Sequence, residues 1–242
     1  PGTLEFIEAD VREEEQVRDL MQRVRPASVV HLAARAGVRP SIADPAGYMR
    51  ANVVATSAVL REATGAGVRR VVVASSSSVY GNCRTLPFHE ELDVDWPISP
   101  YAASKRACEI LGWTHWKLTG TPVAMLRFFT VFGPRQRPDL AIQKFMLRVA
   151  RGQAIEMYGN GGAERDFTYV GDVVRGVQRA MERIDAHGYR VWNLGSDRPL
   201  RLDALIERVA RVVGRPAILE HKPEQPGDVE RTWADLARAR AE

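Results

Sequence analysis

The stretch VRRVVVASSSSVYG, residues 68–81, sets the frame for the whole chain. Val71, Val72 and Val73 follow Val68 in a short apolar run with no polar alternation. Such a run suits a strand buried on both faces, as in a parallel sheet. Four serines follow, Ser75 to Ser78, and Tyr80-Gly81 closes the segment. In open α/β sheets the carboxyl ends of the strands form the ligand crevice. Hydroxyls at that position are therefore candidates for ligand contact, and not only members of a polar loop.

On either side the pattern alternates between strand and helix. Leu4–Glu8 reads as a strand. Glu13–Arg25 carries Val17, Leu20, Met21 and Val24 at helical spacing, and Pro26 marks its end. SVVHLAA (28–34) is a second apolar run, and a helix follows over 45–64. Beyond the serines, a helix over 101–119 leads to a strand at 121–129. After Gly133 the texture changes to a turn-rich loop, GPRQRPD, then a helix (140–151), short strands (155–158 and 165–170) and a helix (172–183). A strand at 189–196 returns to the main sheet. A helix at 202–213, a strand near 217–220 and the loop KPEQPGDV complete the chain. Alternation of this kind predicts an α/β fold with a parallel sheet and right-handed crossovers.

Composition narrows the function. The 242 residues are 45% hydrophobic and 26% charged, ordinary values for a globular protein. No apolar window of about 18 residues occurs, so no membrane-spanning helix is expected. The start, PGTLEFIEAD, lacks the pattern of a signal peptide. The two cysteines, Cys83 and Cys108, have no CxxC spacing and are expected as free thiols in a reducing cytoplasm. The five histidines are scattered, so no metal site is expected. Net charge is +4, yet basic and acidic residues interleave, as in VREEEQVRDLMQRVR. That is a solvated mixed surface and no nucleic-acid footprint. Lysine occurs only at 105, 117, 144 and 222, against thirty arginines.

One of those lysines has a partner. In PYAASKRACEI, Tyr101 and Lys105 stand four residues apart, on one face of a helix. An ammonium beside a phenol favours the phenolate and lowers the phenol pKa from about 10. A phenolate so poised can serve as general base toward an alcohol. The serine-ended strand lies some 25 residues upstream, and the small residues of HLAA end the strand before it. Serine, tyrosine and lysine would then converge over one crevice.

With HLAARAGVRPS, Asn52-Val53-Val54-Ala55-Thr56, SSSSVYG, PYAASK, RFFTVFGP, RDFTYVGDV and QPGDV in this order, the chain resembles the extended short-chain dehydrogenase/reductases that act as nucleotide-sugar epimerases and dehydratases. FFTVFGP followed by RPDLA is most similar to the UDP-glucuronate 4-epimerases. The resemblance implies a Rossmann-like fold with NAD as cofactor and a UDP-sugar as substrate. It implies 4-epimerisation by transient C4 oxidation, with UDP-glucose or UDP-GlcNAc epimerisation as the alternative substrate reading. Its catalytic group is Ser76, Tyr101 and Lys105. Asp10, Val11, Leu32, Ala33, Ala34, Asn52, Ser75 and Phe129, with Tyr101 and Lys105, match cofactor contacts. Thr130 and Arg137 match a site for the sugar carboxylate, which suits a guanidinium. Arg165 and Asp228 match contacts to the UDP moiety. Ser76, Ser77 and Ser78 face the sugar.

Two departures from the family shape the expectation. Dehydratases of the family carry an Asp-Glu pair where this chain has Ser77 and Ser78. With no acid there to protonate a leaving hydroxyl, epimerisation is the better match. Gln225, where many galactose epimerases carry arginine, leans toward the glucuronate branch. In addition, no GxxGxxG loop occurs in these residues, and GNGG at 159–162 reads as a turn. The pattern begins at the family's third strand, roughly 60 residues into its usual course. Two alternatives stay open, part of a longer epimerase or a chain without its pyrophosphate cradle, inactive and unable to hold NAD. Either way SVVHL is expected to present an open apolar edge. The expected organisation is a partial NAD-binding domain over 1–133, rejoined by 171–196, and a substrate-binding lobe over 134–170 and 197–242. The resemblance also implies a homodimer formed through the tyrosine-bearing helix, with Cys108, Leu111 and Trp116 either on its apolar face or equally in the core.

Overall fold

The structure is a computed structural model and describes residues 3–223 and 229–242. Gln225 and Asp228 lie outside the described residues. In chain order the elements are α1 (Glu14–Val24), β1 (Ser28–His31), α2 (Val38–Ala43), α3 (Pro45–Tyr48), a π-helical segment (Met49–Val54), α4 (Ala55–Gly65) and β2 (Arg70–Ser76). Then come α5 (Pro100–Thr119), β3 (Val123–Phe128), β4 (Thr130–Phe132), α6 (Ala141–Ala150), β5 (Ile155–Tyr158), β6 (Glu164–Tyr169) and α7 (Val170–Arg183). The last are β7 (Tyr189–Leu194), β8 (Pro199–Arg201), α8 (Leu202–Val213), β9 (Leu219–Lys222) and α9 (Ala237–Ala241).

The main sheet has the order β1-β2-β3-β7 and is parallel throughout. Its two faces bury separate cores. Val71, Val73, Val123 and Met125 pack against Leu60, Ala63 and Cys108 on one side. Val72, Ala124 and Leu126 pack against Ala180, Ile184 and Trp192 on the other. Burial on both faces explains why the strands read as unbroken apolar runs. Two smaller sheets stand beyond it, β4-β6-β8 and the parallel pair β5-β9. Phe145, Val149, Ile155, Met157, Leu205, Ile206 and Val209 form their separate core between α6 and α8.

Two sequence expectations change. Leu4–Glu8 forms no strand, and Leu4 and Phe6 are almost fully exposed. A strand needs a neighbour to take its backbone hydrogen bonds, and no described residue pairs with this segment. β1 is accordingly an edge strand of the main sheet, with Val30 at 39% and Leu32 at 54% exposure. Cys108, Leu111 and Trp116 pack inward on the first core and not outward. The exposed apolar residues of α5 include Ile110 and Trp113, about half exposed, with Lys117 over the Trp113 ring, and Leu118 near its end.

Candidate active site at the carboxyl end of the sheet

The site forms where β2 ends and α5 begins. β2 runs buried to Ser76, whose Oγ accepts the Ser78 amide at 3.1 Å. This turns the chain into a single 3-10 turn over Ser77–Tyr80. α5 starts with Ser99 as cap, its Oγ accepting from the Ala102 amide at 3.1 Å, and with Pro100 in the first turn. Both features satisfy or remove amides that a helix start leaves open. The Tyr101 amide donates to Ser41 Oγ of α2 at 3.1 Å, which fixes the first turn from a second direction.

Burial pushes the Tyr101 phenol above the ordinary value, and the nearby Ser76 side chain and the positive charge of Arg137 oppose that rise. This corrects the expectation that Lys105 depresses it. Lys105 points elsewhere, its Nζ donating to the Ala74 carbonyl at 2.8 Å. β1 pairs with β2 only as far as Val73, and the next carbonyl is the one the ammonium takes. Burial pulls Lys105 below an ordinary lysine. Its charge acts on His31, which burial first and Lys105 second pull down to about 4.

The other expected residues fall into three groups. Leu32, Ala33 and Ala34 are exposed beyond the end of β1. Asn52 is buried and ties that loop to α5: its Oδ1 accepts from the Arg35 amide, and its Nδ2 donates to Arg35 O and Ser104 Oγ at 3.0 and 2.8 Å. It sits in the π-helical segment, a geometry that often marks functional positions. Asp10 and Val11 precede α1. Arg12 holds the Asp10 carboxyl down to about 2.

Ser77, Ser78, Thr130 and Arg165 line one cavity of about 150 Å³. Thr130 and Arg165 also border a second, of about 330 Å³, with Gln136, Leu140, Tyr158 and Phe167. No carboxylate lines the first cavity among the described residues. Arg137 is half exposed and paired with Asp139, and its charge reaches both Tyr101 and Tyr48. A further cavity of about 790 Å³, lined by Cys83, Arg84, Glu164 and Arg231, contains none of Ser76, Tyr101 or Lys105.

Ser75 and Phe129 do not reach the crevice with their side chains. Ser75 Oγ donates to Glu109 beneath α5, and Phe129 lies in a core with Tyr80 and Phe88. The alternation of a strand sends Ser75 to the opposite face from Ser76. Any cofactor contact at these two positions is through the backbone. Tyr48 was not singled out in the sequence. It is buried, meets Tyr101 edge to face at 6.2 Å, and donates to Ala36 O at 3.1 Å. A single tyrosine outside any motif gave no signal of that role. Glu109 and Arg127 lie fully buried beneath the site. Two charged residues within apolar elements were the available signal, because such residues are almost never fully buried unless paired.

Small side chains stand at the ends of β1 and β2, at Ala33, Ala34 and Ala74, and Lys105 Nζ reaches the Ala74 carbonyl there at 2.8 Å. These residues fit the nicotinamide and ribose portions of NAD. The glycine-rich turn that receives a pyrophosphate is not among them.

Comparison with known proteins agrees with this geometry. The model of the family described as "NAD dependent epimerase/dehydratase family" matches residues 1–195. A UDP-glucuronate 4-epimerase of Thermodesulfobacterium geofontis is 36% identical over 97% of this chain and 72% of its own length. The Bacillus cereus UDP-glucuronic acid 4-epimerase, solved with UDP-glucuronic acid and NAD, superposes with a TM-score of 0.90 at 32% identity, over 98% of this chain and 74% of that one. The Thermotoga maritima UDP-glucose 4-epimerase with UDP-glucose gives 0.92 at 29% identity, over 98% and 77%. Parallel sheet, serine-ended strand and tyrosine-lysine helix thus coincide with one family's sequence model, and the chain belongs to the NAD-dependent epimerase/dehydratase family.

Proposed function

We propose that this protein is an NAD-dependent 4-epimerase of a UDP-hexuronic acid, with UDP-glucuronate and UDP-galacturonate as the interconverted pair. One observation carries the reading. The Tyr101 phenol feels the Ser76 side chain and the charge of Arg137, and the cavity at the end of β2 is lined by Ser77 and Ser78, which offer hydroxyls and no acid. Epimerisation at C4 needs a base for the hydroxyl proton and no acid for a leaving group. NAD, when bound here, would supply a reversible hydride acceptor for C4.

Tyr101 takes the C4 hydroxyl proton and later gives it back. Ser76 holds the C4 oxygen in line with the phenol. Lys105, anchored on Ala74 O, presents its remaining donors to the nicotinamide ribose. Arg137 exchanges its exposed Asp139 partner for the sugar carboxylate, a swap of one forked ion pair for another. Thr130 adds a hydroxyl to that carboxylate. Arg165, at the junction of the two cavities, meets the diphosphate, and the 330 Å³ cavity beside it receives the base. Asp228 is assigned to the ribose of the UDP moiety, and lies outside the described residues. In this reading residues 1–133 and 171–196 serve the cofactor, and 134–170 and 197–242 serve the nucleotide sugar. Two copies associate through the Ile110–Trp113 face of α5, which is half exposed and apolar.

The test is a comparison of substrates. Turnover of UDP-glucuronate and of UDP-glucose is followed by anion-exchange chromatography for the protein and for Arg137→Ala. Loss of a charge-assisted hydrogen bond costs about 2–3 kcal/mol, so kcat/KM for the uronate falls roughly 30- to 150-fold with the glucose substrate little affected. Equal losses for both substrates would remove Arg137 from the carboxylate site and favour a neutral hexose.

A further inference from the structure

Tyr101, Lys105 and Glu109 repeat every four residues along α5 and so form one stripe of that helix. Each meets the end of β2. Ser76 acts on the Tyr101 phenol, Lys105 Nζ takes Ala74 O at 2.8 Å, and Ser75 Oγ donates to Glu109 Oε1 at 2.7 Å. The first two contacts belong to the reaction proposed above. The third does not.

Glu109 is completely buried, and Arg127 of β3 holds it as a fork: Nε to Oε1 and Nη2 to Oε2, both at 2.8 Å. Arg127 stands opposite Ser75 in the sheet register. Its Nη1 donates to Tyr80 Oη at 3.0 Å, and Tyr80 donates in turn to Asn193 Oδ1 of β7 at 2.7 Å. The Asn193 amide donates to Glu90 Oε1 at 2.8 Å. Arg106, one turn before Glu109, closes on the other carboxylate oxygen at 3.3 Å. One chain of polar contacts therefore joins α5 to three adjacent strands.

Stability alone is a poor reason for such a pair, because apolar residues of similar volume are commonly as stable or more so. A fork between guanidinium and carboxylate instead has one geometry, whereas apolar side chains tolerate small slides and rotations. We infer that Glu109, locked by Arg127, is a positioning residue that sets the height of α5 along β2 and thereby the approach of Tyr101 to Ser76. The inference rests on the reading of Tyr101 as the base, and its main readout is independent of turnover.

The experiment uses the full chain labelled with ring-carbon [13C]tyrosine. Tyr101→Phe assigns the Tyr101 Cζ signal at neutral pH, and Ser76→Ala gives its position without the serine hydroxyl. The double variant Glu109→Leu/Arg127→Met is expected to fold with an unchanged or raised melting temperature. Its Tyr101 signal is expected to move at least halfway to the Ser76→Ala position. With UDP-glucuronate and NAD, kcat is expected to fall at least tenfold with KM within twofold. A folded double variant that keeps the wild-type Tyr101 signal would overturn the inference, since a purely structural pair leaves that signal in place. Should the double variant not fold, Ser75→Ala cuts the same link while leaving the ion pair. A shift of the Tyr101 signal in the same direction supports the inference there, and a wild-type signal overturns it. Normal turnover by Tyr101→Phe would instead defeat the base assignment alone, and the spectral result would still stand.

Discussion

Acid is expected to loosen this fold through His31. The ring is buried at the end of β1, its Nε2 sits 3.1 Å from Thr56 Oγ1, and the Lys105 ammonium is close by. Burial, then the Lys105 charge, pulls the imidazole from its ordinary 6.5 down to about 4. In the unfolded chain it returns to about 6.5. Between those values the unfolded state binds a proton that the folded state refuses, so stability rises with pH across the window. Its contribution is complete above pH 6.5 and is lost as pH falls toward about 4. At about 1.4 kcal/mol per unit, the loss is about 3 kcal/mol, a large share of a typical 5–15 kcal/mol. Urea unfolding, followed by circular dichroism between pH 7 and 4, measures it. His31→Gln keeps a polar partner for Thr56 and does not titrate. The gap between wild type and variant should therefore shift by about 3 kcal/mol across that range. Asp10 and Glu242, held down to about 2 by Arg12 and Arg190, contribute at lower pH and cancel in the comparison. Parallel stability curves for the two proteins would refute the argument.

Two further outcomes follow from packing and surface. Arg127→Met leaves the Glu109 carboxylate buried without its fork, and should cost about 3–5 kcal/mol in urea unfolding; a cost under about 1 kcal/mol would contradict the burial of that charge. Trp113→Glu places a carboxylate on the exposed apolar face of α5, and sedimentation should show a dimer for the wild type and a monomer for the variant without loss of helix content; equal masses for the two would contradict the proposed dimer face.

Much of this could be read in the sequence because period and chemistry coincide. The α8 helix spans 202–213 as its apolar spacing predicts, and β2 and β3 fall where the valine and aliphatic runs stand. Tyr101 and Lys105 share a helix face because four residues make about one turn. What was not legible has a common cause. A strand that is apolar on both faces gives no clue to which face each residue takes, so Ser75 and Ser76 read alike and point apart. β4 and β8 are three residues long, too short to show a period. Leu4–Glu8 has the composition of a strand but no partner among the described residues. The Lys105–Tyr101 expectation used only spacing along α5, and the Ala74 carbonyl that captures the ammonium belongs to another element.

The central claim is that Tyr101 serves a C4 oxidation and re-reduction in which the C4 hydrogen never meets solvent. The direct measurement is proton NMR of the protein with UDP-glucuronate and NAD in deuterated water, beside Tyr101→Phe. The account predicts that the C4 epimer accumulates with its C4 hydrogen unexchanged, and that Tyr101→Phe slows this by roughly 100-fold or more. Deuterium at C4 of the product, or undiminished turnover by Tyr101→Phe, would contradict it.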